Sequence, residues 1–448
     1  MTATEPVDLA VADLHPALGD PALTSMNFLN EVSERYPAAV SLAAGRPYEE
    51  FFDLAAVHRH LDTFHRHLVD DLGHRPEQAR RLLLQYGRTK GIVHHLIARN
   101  LAVDEGITVD GEDIVVTVGC QEAMFLVLRA LRAGPTDVLL AVAPTYVGLT
   151  GAARLVDLPV WPVAGGPSGI DLADLAAQVR RARAAGLRPR ACYLMPDFAN
   201  PSGVSIDTAH RRRLLDLAGQ EDLLLLEDNP YGLFPVDDGP RPPTLKALDT
   251  GRRVVYLGSF AKTVLPGARV GYVVADQRVA GPDGRVGPFA DQLAMIKSMV
   301  TVNTSPIAQA VIGGRLLEHG CSLVAANTRE RFAYTRNLRH LVAGLARRFP
   351  PGVPGTDGAG GAGAVRWTVP AGGFFVVVTV PFPVDDALLD RSARDHGVLW
   401  TPMAHFYDDT APVHALRLSV SAVTPEQIDV GLDRLAALVA DERARRAC

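Results

Sequence analysis

The sequence predicts an α/β fold with a mostly parallel sheet in a large domain and a smaller α+β domain beside it, and three observations carry this. Between residues 113 and 275, short apolar runs alternate with helical stretches: "DIVVTV", "VLLAVA", "ACYLM", "DLLLLE", "RVVYLG" and "VGYVVA". Continuous apolar runs of this length suit parallel strands covered by helices on both faces. Later the pattern changes: "GGFFVVVTV" and "HALRLSVSA" read as strands of a second sheet, followed by the helix "PEQIDVGLDRLAALVADERARR". Finally, 448 residues are more than one hydrophobic core usually serves. The expected division is a large domain over residues 60–315 and a small one over 316–448, which the N-terminal segment 1–59 joins. The Gly-rich stretch "PGVPGTDGAGGAGA" from Pro351 reads as an exposed connection.

Composition narrows the function classes. With 48% hydrophobic and 21% charged residues the chain is that of an ordinary globular protein. A formal charge of -5 and the absence of a basic stripe argue against nucleic acid as a partner. Cys120, Cys192, Cys321 and Cys448 show no spacing that suits zinc or a disulfide framework, so a reducing cytoplasm and no metal site are expected. The acidic start "MTATEPVDLAVADLHPALGD" lacks the features of a signal peptide. No apolar run reaches the roughly 18 residues of a membrane helix.

Ligands of open α/β sheets sit beyond the carboxyl ends of the strands, so the residues that follow each run are the candidates. Gly119, Cys120 and Gln121 stand where a strand turns into the helix "EAMFLVLRAL", a ready anion site or an ordinary turn. Tyr146 in "PTY" offers a flat face beside it. Asn200 in "NPSG" and Tyr231 in "DNPYG" can donate to a phenolate, though both also fit plain turns. Asp228 ends a buried run, where a carboxylate needs a cation or a donor; a protonated pyridine nitrogen would serve, and so would capping of the next turn. In "GSFAKTVLPGARVGY", Lys262 is an amine able to form a Schiff base, Arg269 a planar fork for phosphate, and Ser259 a nearby hydroxyl. Arg417 in "HALRLSVSA" lies by alternation on the face opposite Leu416 and Leu418, facing solvent or gripping a carboxylate.

Taken together, these motifs resemble the fold type I pyridoxal-phosphate enzymes, and within them the class I/II aminotransferase family. The most specific piece is Ser259-x-x-Lys262 followed by Pro266-Gly267-x-Arg269-x-Gly271; "QYGRTKG", "AGRPYEEFF" and "PAGGFFVVV" are similar to the aminoadipate and kynurenine branch. The resemblance implies a seven-stranded sheet, pyridoxal 5'-phosphate as cofactor, and a soluble homodimer with shared sites. It implies Lys262 as Schiff-base lysine and general base, and Asp228 at the pyridine nitrogen. Asn200 and Tyr231 would bind the phenolate oxygen, Tyr146 would stack on the ring, and Gly119, Cys120, Gln121, Ser259 and Arg269 would hold the phosphate. Tyr86 would reach the neighbouring subunit's phosphate, and Arg417 would clamp the substrate carboxylate. Arg46 falls where the related branch reads substrate side chains, and equally fits a solvated turn with Glu49 and Glu50. Cys120, Arg88 and "TPMAHFYDD", which brings His405 and Tyr407, depart from the family's pattern.

The function so implied acts on an α-amino acid through an external aldimine and quinonoid, with transamination to a 2-oxo acid as the leading outcome. The departures keep open a diverged enzyme of specialised biosynthesis performing β/γ-elimination or replacement, decarboxylative deamination or cyclisation. A regulator built on the same domain would need a DNA-binding segment, and the residues before Ser41 show no basic helix pair.

Overall fold

The computed structural model describes residues 8–20, 23, 31, 34–350, 364–408 and 411–447; the Gly-rich connection expected from Pro351 lies almost wholly outside them. A seven-stranded sheet organises the larger part. Its spatial order is Ile114–Thr117, Gly271–Val274, Val254–Ser259, Leu224–Asp228, Arg188–Leu194, Asp137–Ala143 and Val160–Ala164. Successive residues point to opposite faces, and both faces are buried. Leu139, Ala141, Ala191, Tyr193, Leu226, Val255 and Leu257 join one core, while Leu140, Cys192, Leu194, Leu225 and Val254 join another behind the sheet.

Two features differ from the expectation drawn from the apolar runs. Val160–Ala164 is a strand the runs did not reveal: it is one edge of the sheet, it carries Pro162, and it is only partly buried. "VGYVVA" is a strand, but Gly271–Val274 runs antiparallel to both neighbours. Only residues 260–270 join it to Val254–Ser259, and a parallel return needs a crossover of about a dozen or more residues, usually with a helix. The short return pairs Ser259 with Gly271, so the chain leaves and re-enters the sheet at one end.

The smaller part is α+β. An antiparallel sheet, ordered Arg366–Trp367, Phe375–Thr379, Ala415–Ser419 and Thr401–Pro402, is covered by the helices Thr328–Arg348 and Pro425–Ala447. Leu338, Leu341 and Leu345 of the first helix share a core with Ile428, Leu432 and Leu435 of the second. Val40–Ser41 pairs in parallel with Val398–Leu399, tying the N-terminal segment to this part. The next helix, Leu54–Arg66, packs on Pro306–Glu318: a Cβ at Gly314 would overlap the His60 backbone. No helix among the described residues is long and apolar enough to cross a membrane.

Candidate active site

Six of the seven large strands point the same way, and Gly119, Tyr146, Asn200, Asp228 and Ser259 sit at or just beyond the carboxyl ends of five of them. The antiparallel return adds Lys262 and Arg269 at the same end. A cavity of about 340 Å³ opens there, lined among others by Cys120, Tyr146, Asn200, Asp228, Lys262 and Arg417.

The anion cradle comes first. The helix Gly119–Leu131 begins with no side chain capping its first turn, leaving N–H groups and the positive end of the helix free to meet a negative group. Gly119 has φ +72, and a Cβ there would collide with the Arg269 guanidinium, so glycine lets the arginine lie directly over the helix start. Arg269 itself has φ +50, a strained conformation for a side-chain-bearing residue. Ser259 ends the adjoining strand. The Gln121 side chain is turned away from the cradle and donates to the Gly148 carbonyl at 2.5 Å, which leaves its backbone for any contact with an anion.

Lys262 Nζ donates to the Gly45 carbonyl at 2.7 Å. Burial pulls the amine down to about 8, with Arg417 and Arg269 adding to the effect, so the neutral form becomes accessible just above neutrality. Gly45 is there because a Cβ would strike the Phe375 ring. Across the cavity Asp228 is 2% exposed, and burial raises its carboxyl to about 6 against the opposing hydrogen bonds of Tyr193 and Cys120. Tyr193 OH donates to Oδ2 at 2.7 Å, and Cys120 Sγ to Oδ1 at 3.6 Å. Tyr231 is buried edge-on against Phe374 and Phe375, with ring centroids at 5.1 and 5.5 Å, and hydrogen-bonds Asn200. Burial raises the Tyr146 and Tyr231 phenols, keeping both as donors.

Arg417 has the environment least expected of a guanidinium. It is 5% exposed, and its charged carbon lies 4.1 Å from the Phe375 ring centroid and 5.0 Å from that of Phe406. Its hydrogen bonds go to the Asn200 amide oxygen, and at 3.2 Å each to the Ala43 carbonyl and Thr401 Oγ1. Nε is buried without a partner, and the group's partners among the described residues are all neutral. Burial pulls it down to about 10. A buried cation with only neutral partners is costly, and an anion entering the cavity would relieve the cost.

Two expected residues stand apart, and so does His405, a departure from the family's pattern. Tyr86 is 86% exposed and away from the cavity of its own chain. Arg46 reaches the cavity rim, but its guanidinium is exposed and lies 3.6 Å from Glu49. His405 pairs with Asp386 at 2.8 Å, outside the cavity. Conversely, the sequence did not single out Tyr193, Gly45, Thr401 or Phe406. Gly45 falls within the quoted "AGRPYEEFF", Phe375 within "PAGGFFVVV", and Thr401 and Phe406 within "TPMAHFYDD", but none was assigned a role.

These groups fit pyridoxal phosphate: an amine for its carbonyl, a carboxylate for its ring nitrogen, two donors for its phenolate, and a helix start with arginine for its phosphate. The family described as aminotransferase class I and II matches residues 65–435. The chain is 56% identical to a (S)-3,5-dihydroxyphenylglycine transaminase of Amycolatopsis orientalis, over 96% of this chain and 94% of that one. Among solved structures it is similar to a kynurenine aminotransferase of Pyrococcus horikoshii, at TM-score 0.77 and 27% identity over 92% of this chain and 94% of that one. An α-aminoadipate aminotransferase of Thermus thermophilus, complexed with N-(5'-phosphopyridoxyl)-L-leucine, superposes at TM-score 0.78 with 27% identity, over 97% of this chain and all of that one. Geometry, family and relatives agree, and the chain belongs to the aminotransferase class I and II family, as a pyridoxal-phosphate-dependent transaminase.

Proposed function

We propose that the substrate is an aromatic α-amino acid of the arylglycine type, whose amino group is exchanged with a 2-oxo acid in a cytoplasmic homodimer. The observation that carries the amino-acid part is the buried Arg417, poised for a carboxylate between Phe375 and Phe406 and beside Lys262. The arylglycine part rests on the 56% identity to the dihydroxyphenylglycine transaminase and on the aromatic walls of the cavity.

Bound here, pyridoxal phosphate supplies a carbonyl carbon for amine exchange and a ring that accepts the electron pair released at the substrate Cα. The chain's own residues do the rest. Arg417 grips the carboxylate with its planar fork and fixes which Cα bond is presented. Lys262 Nζ, its proton loosened by burial and held by the Gly45 carbonyl, takes the proton from Cα when in its neutral form. Asp228 would face the ring nitrogen, Asn200 and Tyr231 would hold the phenolate oxygen, and Tyr146 would cover the ring. The first turn at Gly119–Gln121, with Ser259 and Arg269, would hold the phosphate. The exposed Tyr86 supports its use by the neighbouring subunit. Cys120, Cys192 and Cys321 are free thiols, which supports a reducing compartment.

The test is the visible spectrum of the purified holoenzyme as single amino acids are added without any oxo acid. Arylglycines should convert the cofactor's band to that of its amine form and release one equivalent of 2-oxo acid. Conversion by aliphatic or acidic donors in preference to arylglycines would refute the substrate class. Release of ammonia or carbon dioxide in place of the oxo acid would refute transamination.

A further inference from the structure

Asp228 has two neutral donors, the Tyr193 phenol and the Cys120 thiol, which come from two different elements. Tyr193 lies on the neighbouring strand Arg188–Leu194, opposite Leu226, and Leu226 and Asp228 share a face of the sheet because they are two residues apart. From that register the phenol extends along the sheet to Asp228 Oδ2 at 2.7 Å, with Tyr193 only 2% exposed. Cys120 comes from another element, the first turn of the helix Gly119–Leu131, and its Sγ is 3.6 Å from Oδ1. Each carboxylate oxygen therefore has a donor of its own. Burial raises both the phenol and the thiol, Asp228's negative charge adds to the effect, and so both keep their protons. Among the described residues only these two donors, and no cation, act on Asp228 beside its burial.

We propose that Tyr193 and Cys120 are positioning residues that keep Asp228 ionised, and thereby leave the shared proton on the cofactor's ring nitrogen. The proposal rests on Asp228 facing that nitrogen. A buried carboxylate and a pyridine nitrogen in contact compete for one proton. Hydrogen bonds donated to the carboxylate stabilise its charged form and lower its affinity for that proton. Removing the donors moves the proton from nitrogen toward the carboxylate oxygen, and the ring then accepts electrons less well. Neither residue touches the reacting atoms; each acts through Asp228.

The experiment reads the proton directly. Holoenzyme is reconstituted with pyridoxal phosphate carrying ¹⁵N in the ring, and the ring nitrogen's chemical shift is recorded for wild type, Tyr193→Phe, Cys120→Ala, Cys120→Ser and the Tyr193→Phe/Cys120→Ala double variant. Wild type should show the protonated-pyridine shift. Tyr193→Phe should move it part of the way toward neutral pyridine, with kcat lower by about tenfold for one lost hydrogen bond to a charged group and KM little changed. The double variant should move it further, and Cys120→Ser, which restores a stronger donor, should stay at the wild-type value. An unchanged shift in the loaded double variant would overturn the proposal. A neutral ring nitrogen already in wild type would instead overturn the placing of Asp228 at that nitrogen. If Tyr193→Phe fails to fold or to load, the Cys120 pair decides: no difference in shift among Cys120→Ala, Cys120→Ser and wild type overturns the proposal.

Discussion

Replacing Arg417 with alanine isolates the contact on which the amino-acid reading depends. The guanidinium can offer a carboxylate two parallel N–H bonds, each worth about 1.5–3 kcal/mol when charged. Its loss also leaves the substrate carboxylate buried without a partner, so the total cost is about 3–5 kcal/mol. At 1.36 kcal/mol per decade, kcat/KM for the amino donor should fall by about 10²–10⁴. Arg417→Lys keeps the charge but loses the fork and the flat contact between the Phe375 and Phe406 rings, 4.1 and 5.0 Å away. It should cost about 1–2 kcal/mol, or roughly 5- to 30-fold. The assay is the donor half-reaction, run with an α-amino acid and with the matching primary amine that lacks the carboxylate. Wild type should prefer the acid strongly, and Arg417→Ala should lose most of that preference because the amine never used the contact. The cofactor's absorption band confirms that each variant is loaded. An alanine variant that keeps the wild-type preference for the acid would refute the assignment, and with it the view that the buried cation awaits a carboxylate.

Two further outcomes follow from the same geometry. Lys262 is held down to about 8, and its neutral form is the reactive one, so the rate at which apoenzyme captures pyridoxal phosphate should rise about tenfold per pH unit below 8 and level off above it. Stopped-flow absorbance checks this; a midpoint near the ordinary lysine value of about 10.4 would show that burial, Arg417 and Arg269 do not act on the amine. For the shared-site dimer, subunits carrying Lys262→Ala and subunits carrying Tyr86→Ala should each be nearly inactive alone and recover activity when co-expressed, since one hybrid site then has both wild-type residues. Hybrids that stay inactive would place Tyr86 outside the partner's site.

How much was legible depended on which physical signal each element carried. The six strands read from the sequence are those whose residues are buried on both faces, because double burial writes a continuous apolar run. Val160–Ala164 escaped because an edge strand carrying Pro162 is only half-buried. The mostly parallel sheet was legible, but the reversal of one strand was not: "VGYVVA" has the composition of its parallel neighbours and runs against them. At the site, Lys262, Asp228, Asn200, Tyr146 and Arg269 could be read because strand ends are where turn residues and polar groups interrupt apolar runs. Tyr193 could not, since it sits inside "ACYLM" and its use depends on register with another strand. Ala43 and Gly45 were equally hidden, because contacts that span 374 residues to Arg417 and 217 to Lys262 leave no local pattern.

The reversed strand also explains why one lysine and one arginine sit seven positions apart in a stretch of small residues. A crossover of ordinary length would have carried the chain back to the amino end of the sheet, and any arginine at its close would stand a full strand length from the lysine. The return over residues 260–270 keeps both at the carboxyl end and delivers Arg269 onto the helix start at Gly119. That close approach leaves no room for a Cβ at Gly119, and the short path holds Arg269 at a left-handed φ. The one reversed strand of the large sheet and the strain in its cradle thus have one cause: an amine and a guanidinium delivered to the same end of the sheet from a single turn.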